Sequence, residues 1–169
     1  MRGAFETSAV SSSAAETVRL AARLGSLLRP GDVIALVGEL GSGKTTFAKG
    51  LALGLGAEDA SAVSSPTYVL EQVYPTRIPL HHYDAYRLGS EREFLALGFE
   101  ERRLGENVLV VEWADRVAGA LPEEALWVEL RLAEGAPSSR EIRFSGMAPY
   151  WEPRLEALLR GGAPPEAEG

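Results

Sequence analysis

Eight consecutive residues, Gly38-Glu39-Leu40-Gly41-Ser42-Gly43-Lys44-Thr45, have the types and spacing that bind phosphate groups. They fit the pattern G-x-x-x-x-G-K-[ST], in which glycines let the backbone curl so that successive N–H groups point at phosphate oxygens. Lys44 then reaches the β- and γ-phosphates of a nucleotide, and the Thr45 hydroxyl supplies an oxygen for Mg²⁺. The stretch predicts a site for a nucleoside triphosphate and its magnesium ion. The alternative is a glycine-rich turn that binds nothing.

The segments on either side are those that such a loop needs. Val33 to Val37 is an apolar run with β-branched residues, which predicts a buried strand. Thr46 to Leu53 carries apolar residues at helical spacing, which predicts a helix whose positive end faces the phosphates. Strand, loop and helix therefore follow in the order of a phosphate-binding unit.

A second apolar run ends in an acid, as the metal-binding motif of phosphate-loop proteins does. Val108 to Val111 is followed by Glu112, which predicts a central parallel strand beside the loop strand, with a carboxylate at its tip near Mg²⁺. The usual acid is Asp, and the longer Glu still reaches the metal, directly or through water. Trp113 either stacks near the base or covers the core, and the core is favoured.

Asp84 shares one face of a predicted strand with His82, because side chains two residues apart in a strand point the same way. In the functional interpretation, this carboxylate positions the attacking water or joins the outer shell of Mg²⁺. The alternative is an Asp in a strand-end turn beside a solvated His, and spacing alone favours it.

A small and polar segment, from Ala57 to Thr67, makes few apolar contacts and can move at low cost. In a nucleotide-binding fold such a loop could act as a switch, with Ser65 or Thr67 sensing the γ-phosphate or the metal. A plain connecting loop explains the composition equally well.

The rest of the chain extends one sheet and the helices that cover it. Further predicted elements are an edge strand within 2–10, a helix capped by Ser13 and Glu16, a strand hairpin of 68–74 with 78–86, a short helix at 91–98, an antiparallel pair of 126–132 with 141–144, and a last helix at 153–160. The predicted fold class is α/β, a three-layer, P-loop NTPase-like fold with a mostly parallel central sheet extended by antiparallel strands. Residues 1–160 are expected to form a single domain and 161–169 a disordered tail.

Composition limits the kinds of partner. The net charge is −7 and the pI about 5.0, whereas a protein that grips nucleic acid by its backbone needs a basic face. Any role on nucleic acid is therefore expected to run through a partner. The chain has no cysteine, no secretory signal and no apolar run approaching the eighteen residues of a membrane span, so we expect a cytoplasmic protein.

Taken together, these motifs resemble those of the TsaE (YjeE) family of small bacterial ATPases. The resemblance rests on Gly38 to Thr46, Ser65-Pro66-Thr67-Tyr68, His82-Tyr83-Asp84-Ala85-Tyr86-Arg87 and Glu112-Trp113. The second and third of these stretches separate the family from other phosphate-loop proteins, and both are present, in order and at family-like distances. Glu39 and Ser42 depart from the Asp and Ala that the family often has, but both occupy variable positions.

The resemblance implies an ATPase of the cytoplasm, dependent on ATP and Mg²⁺ and slow in isolation, that is needed for the threonylcarbamoyl-adenosine modification of tRNA. It implies TsaB and TsaD homologues as partners, with tRNA bound only through that complex. Lys44, Asp84 and Glu112 are the implied catalytic residues, with Thr45 and Glu112 on the metal side. The implied nucleotide-binding residues are Glu39, Leu40, Gly41, Ser42, Gly43, Lys44, Thr45, Thr46, Thr67 and Arg140.

Three other functions compete with this one. A small-molecule kinase shares the loop and the size, but it needs an arginine-bearing lid, and no arginine-rich insertion stands out. A GTP-driven switch should carry an Asn-Lys-x-Asp motif, which this sequence lacks, so that adenine is favoured. A nucleotide-gated binding module would use ATP only to hold a surface in shape.

Overall fold

A computed structural model describes residues 4–59 and 70–161 of the chain. In these ranges the elements are β1 (Phe5–Ser11), α1 (Ala14–Ser26), β2 (Val33–Val37), α2 (Lys44–Gly54), β3 (Glu71–Tyr74), β4 (Leu80–Asp84), α3 (Glu91–Leu95), α4 (Phe99–Leu104), β5 (Val108–Glu112), a 3₁₀ segment (Ala114–Ala120), β6 (Leu126–Ala133), β7 (Ala136–Gly146) and α5 (Trp151–Leu159). None of these helices is both long and apolar enough to cross a bilayer.

The described strands form one sheet in the order β1-β7-β6-β2-β5-β4-β3. The four central strands, from β6 to β4, run parallel to one another, whereas β3 at one edge and β7 and β1 at the other are antiparallel to their neighbours. The predicted α/β fold, with a mostly parallel sheet extended by antiparallel strands, is confirmed. β2 and β5 are continuous apolar runs because both their faces are covered.

Helices cover the two faces of the sheet and bury two hydrophobic clusters. On one face α1, α2 and α5 pack over the strands, and Leu24, Phe47 and Trp151 are fully buried there. On the other face α3, α4 and the 3₁₀ segment enclose Tyr83, whose ring meets those of Phe94 and Phe99 edge-on at centroid distances of 5.6 and 5.7 Å. The layers are thus helix, sheet and helix, as predicted.

The parallel strands at the centre of the sheet bring the residues of chemical interest together at their C-terminal ends. Leu36 near the end of β2 pairs with Glu112 at the end of β5, and Glu112 pairs with Asp84 at the end of β4. Because parallel strands end on the same side, the loop that follows β2 lies beside both carboxylates.

Some element boundaries differ from the prediction. β7 begins at Ala136, five residues before the predicted start of that strand. The turn before it is shorter than predicted, because Gly135, at φ +71°, takes the left-handed conformation of a tight turn. α5 begins at Trp151, so that Pro153 lies in the first turn. Proline is tolerated there because a backbone N–H at that position would have no partner within the helix.

The predicted cap of α1 forms with one change. Ser13 Oγ accepts a hydrogen bond from the backbone N–H of Glu16 at 3.1 Å. The returning bond to the Glu16 carboxylate comes from the backbone N–H of Ser12 at 2.9 Å, one residue before the position that a capping box uses.

Two predictions fall outside the described residues. The segment with Ser65 and Thr67 lies within 60–69, and the tail after Gly161 lies within 162–169. A switch role for Thr67 and a disordered tail therefore stay predictions. A single domain over 1–160 also stays a prediction, because 1–3 and 60–69 of that range are not described.

Close packing of α1 on α2 generates a stability prediction. A Cβ added to Gly54 would lie 2.0 Å from the carbonyl oxygen of Ala22, so Gly54→Ala should force the helices apart. We expect it to lower the free energy of unfolding by about 1–3 kcal/mol in urea titrations, even though alanine favours helix. Gly89→Ala is the control, since its nearest neighbour would be 3.4 Å away. Equal stability of both variants would contradict the close approach of the helices.

Candidate phosphate-binding site

The loop between β2 and α2 curls because its glycines allow it. Gly43, at φ +107°, takes a left-handed conformation immediately before the first residue of α2. Gly38 is needed for space as well, because a Cβ there would lie 2.4 Å from Ser42 Oγ and 2.6 Å from the carbonyl oxygen of Leu130. The side chains of Glu39 and Leu40 are exposed, so at these positions the loop turns its backbone inward.

The Lys44 ammonium is buried at the centre of this curl. Its Nζ donates to the carbonyl oxygens of Gly38 at 2.5 Å and of Glu39 at 2.9 Å, and Ser42 Oγ lies at the limit of hydrogen bonding, 3.5 Å away. An ammonium has three protons. The two short bonds to carbonyls therefore fix its position and leave a third donor for an anion.

A chain of hydrogen bonds ties α2 to the tips of two strands. Thr45 Oγ1, in the first turn of α2, donates to Glu112 Oε1 at 2.9 Å. The other oxygen of the same carboxylate, Oε2, lies 2.6 Å from His82 Nε2 on β4. His82 is fully buried, so the solvated histidine of the alternative interpretation of Asp84 is wrong.

Asp84 ends β4 next to Glu112 and is itself 1% exposed. Its Oδ1 accepts a hydrogen bond from the backbone N–H of Tyr86 at 2.8 Å, which holds the carboxylate at the strand end. Two buried carboxylates thus lie at neighbouring strand tips, with the Lys44 ammonium as the nearby positive charge.

Trp113 follows Glu112 and covers the second hydrophobic cluster, as the sequence favoured, but it also faces the site. It takes a left-handed backbone at φ +56°, a conformation that costs about 1–3 kcal/mol for a residue other than glycine. Its half-buried ring lies 4.1 Å from Lys44 Nζ, at cation–π distance, and 4.8 Å from the ring of Tyr86. The tryptophan therefore packs against the second hydrophobic cluster and also forms a wall of the site.

Arg140 lies against the loop backbone. Its Nε donates to the carbonyl oxygen of Ser42 at 2.8 Å and Nη2 donates to that of Gly41 at 3.3 Å. Nη1 donates to the carbonyl oxygens of Pro137 and Ser139 at 2.8 and 3.1 Å. The guanidinium thus ties β7 to the loop and supports its curl.

The structure brings most of the predicted site residues together. A cavity of about 360 Å³ opens at the mouth of the loop, lined among others by Lys44, Thr45, Thr46, Asp84, Glu112 and Arg140. Thr67 lies outside the described residues. Two contacts were not predicted from the sequence: that of His82 with Glu112 and that of Trp113 with Lys44. The alternation along β4 pointed at His82, but only the order of the strands pairs it with β5.

The arrangement fits a phosphate group and a magnesium ion. In the part of the chain that the structure describes, no three His, Asp or Glu side chains gather in a metal-holding group. Mg²⁺ does not need one, because it is commonly held by one or two protein oxygens, waters and substrate phosphates. Thr45 gives its only hydroxyl proton to Glu112, which leaves its oxygen lone pairs for a cation.

Comparison with known proteins identifies the family. The family model described as "Threonylcarbamoyl adenosine biosynthesis protein TsaE" matches residues 11–142 of this chain. The chain belongs to the TsaE family. The matched range includes the phosphate-binding loop, both carboxylates at the strand tips and Arg140.

TsaE relatives match over most of their length. The tRNA threonylcarbamoyladenosine biosynthesis protein TsaE of Treponema pallidum is 46% identical over 134 residues, covering 79% of this chain and 96% of that protein. The protein of the same name from Bacillus subtilis is 39% identical, covering 86% of this chain and 89% of that protein. The crystal structure of Bacillus subtilis YdiB superposes with a TM-score of 0.78 at 33% identity, covering 92% and 95% of the two chains.

The buried lysine makes stability depend on pH. Burial lowers the pKa of Lys44, while the charges of Glu112, Asp84 and Asp115 oppose that shift. Between the lowered pKa and the ordinary lysine value of about 10.4, the unfolded chain binds more protons than the folded chain, so the free energy of unfolding should rise with pH. We expect the wild type to gain stability relative to Lys44→Met as the pH rises towards that value. A stability difference that stays constant would contradict the buried ammonium.

Proposed function

We propose that this TsaE family member is a Mg²⁺-dependent ATPase whose ATP hydrolysis supports TsaB and TsaD homologues in the threonylcarbamoyl-adenosine modification of tRNA. One observation carries the proposal. The buried Lys44 ammonium and the hydrogen-bonded pair of Thr45 and Glu112 lie at the mouth of the same glycine-rich curl, beside Asp84. Phosphoryl transfer requires such positioned charges and little covalent chemistry from the protein.

Phosphate binding is assigned to the loop. Backbone N–H groups from Gly41 to Thr46, at the positive end of α2, would surround the phosphates. Lys44 would keep its two bonds to loop carbonyls and use its third proton on the β- and γ-phosphates. Since Arg140 supports the loop through carbonyls, its contribution would be to hold the curl in shape.

Thr45 and Glu112 are assigned to the metal side. When bound, Mg²⁺ would neutralise charge on the β- and γ-phosphate oxygens. Thr45 would offer its oxygen lone pairs, while Glu112 keeps the hydroxyl turned so that those lone pairs face the cavity. The hydrogen bond from Thr45 also compensates for the burial of the Glu112 carboxylate.

Asp84 is assigned to the attacking water. Its carboxylate lines the same cavity as Lys44 and Thr45, and a backbone N–H holds it in place. A carboxylate so fixed would accept a hydrogen bond from water and later its proton. We place these residues in one catalytic domain spanning 1–160.

Partner proteins are assigned the contact with tRNA. The chain carries a net charge of −7, which opposes direct binding to a phosphate backbone. Its relatives carry the name of a tRNA modification pathway. A cytoplasmic protein that acts through TsaB and TsaD homologues, with tRNA held by that complex, reconciles these two facts.

Asp84→Asn separates binding from hydrolysis. Asparagine keeps an Oδ1 acceptor for the Tyr86 N–H, so the fold and the nucleotide affinity should persist, whereas hydrolysis should slow by about 10²–10⁴-fold. Calorimetry with ATPγS and steady-state phosphate release measure the two effects. Lys44→Ala is the comparison, and it should weaken binding as well. If Asp84→Asn turns ATP over at the wild-type rate, Asp84 is only structural.

Partner dependence tests the assigned pathway. In a pull-down with ATP, the chain should be retained by a complex of TsaB and TsaD homologues, and its slow ATP turnover should change when they are added. The same mixture with Asp84→Asn should make less modified tRNA. Modification at the normal level without hydrolysis would favour a nucleotide-gated binding module. Turnover that needs an added small acceptor instead of these partners would favour a kinase.

A further inference from the structure

His82 is a buried polar residue that no step above uses. Its exposure is 0%, and it lies on β4 two residues after Leu80, so its side chain points to the face of the sheet that carries the first hydrophobic cluster. Its Nε2 faces Glu112 Oε2 at 2.6 Å, while Nδ1 has no hydrogen-bond partner in the described part of the chain. The ring of Tyr74 is nearby, with 6.4 Å between centroids.

Burying the His82 ring is unfavourable in free energy, so the contact of its Nε2 must compensate for that cost. A buried ring nitrogen without a partner loses its hydration and gains nothing in return. A leucine would fill similar space in the same cluster without that cost. The compensating interaction is the short bond to a carboxylate, which is stronger than a bond between neutral groups.

The two bonds to Glu112 together determine how its carboxylate is oriented. A glutamate side chain has several rotatable bonds, and the bond from Thr45 holds only one of its oxygens. The bond from His82 holds the other oxygen, so the plane of the carboxylate is fixed from α2 on one side and from β4 on the other. Once fixed, Oε1 dictates where the Thr45 hydroxyl sends its proton, and hence where the lone pairs of Thr45 point.

We propose that His82 is a positioning residue for the metal side of the site, acting through Glu112 on Thr45. His82 Nε2 donates to Glu112 Oε2 and Glu112 Oε1 accepts the Thr45 proton, so that the Thr45 lone pairs stay free for the cavity, where they would hold Mg²⁺. This inference rests on the proposed function, since it presumes that Mg²⁺ and ATP bind here. His82 would therefore affect only the part of the nucleotide affinity that depends on Mg²⁺, and it would not contact the nucleotide itself.

The neighbouring histidine is a matched control. His81, the only other histidine in the sequence, points to the opposite face of β4. There its Nδ1 lies 2.9 Å from Glu71 Oε1, in a group with Tyr83 and Arg102 that is separate from the loop. The same substitution at 81 and at 82 therefore removes a histidine–carboxylate contact from the same strand, but only one contact belongs to the site.

The experiment compares ATPγS affinity with Mg²⁺ and with EDTA by calorimetry. In the wild type, Mg²⁺ should raise the affinity for ATPγS. We expect this increase in affinity to be about 10–100-fold smaller in His82→Leu, because removing a partner behind a metal ligand commonly has an effect of that size. In EDTA, His82→Leu should bind ATPγS as the wild type does. His82→Gln should restore most of the gain, because its amide nitrogen can occupy the position of Nε2. His81→Leu should behave like the wild type. If His82→Leu does not fold, His82→Asn, whose amide is too short for Glu112, replaces it.

A double-mutant comparison tests the route through Glu112. If His82 acts only by holding that carboxylate, His82→Leu should have no further effect on the gain from Mg²⁺ in a Glu112→Gln background. Additive losses would overturn the inference, as would a full gain from Mg²⁺ in His82→Leu or equal losses in His82→Leu and His82→Gln. If the wild type itself gains no affinity from Mg²⁺, the proposed function fails instead.

Discussion

The hydrogen bond from Thr45 Oγ1 to Glu112 Oε1 is the interaction on which the rest of the site depends, because it joins the loop's helix to the tip of a central strand. It forms only if β2 and β5 are neighbours and parallel, so that the chain after β2 turns back over the end of β5. The order of the strands, the curl at Gly38 and Gly43, and the covering of both sheet faces all serve this meeting. The fold thus places the Thr45 hydroxyl beside the Glu112 carboxylate.

Burial of charge is the constraint that shapes the surroundings. Lys44, Asp84 and Glu112 are each nearly inaccessible to solvent, and isolated charges in such positions would be costly. Each is compensated by hydrogen bonds: loop carbonyls for Lys44, a backbone N–H for Asp84, and Thr45 with His82 for Glu112. These bonds fix the groups before any ligand arrives, so a bound ligand would meet charges that are already in place.

The sequence was sufficient for the local units and for the fold class. The order of strand, loop and helix around Lys44 and the apolar run ending in Glu112 could be predicted because periodicity and turn residues act over short distances. The contact of His82 with Glu112 could not, since it depends on which strands become neighbours. The left-handed backbone of Trp113 and the attachment of Arg140 to loop carbonyls are likewise products of tertiary packing.

A crystal structure of the protein grown with a non-hydrolysable ATP analogue and Mg²⁺ tests the central claim most directly. The loop amides should face the β-phosphate, Lys44 should keep its bonds to Gly38 and Glu39 while reaching the phosphates, and Thr45 should lie on the metal with Glu112 still beside it. An analogue bound elsewhere, or a loop whose amides point away from the phosphates, would contradict the account.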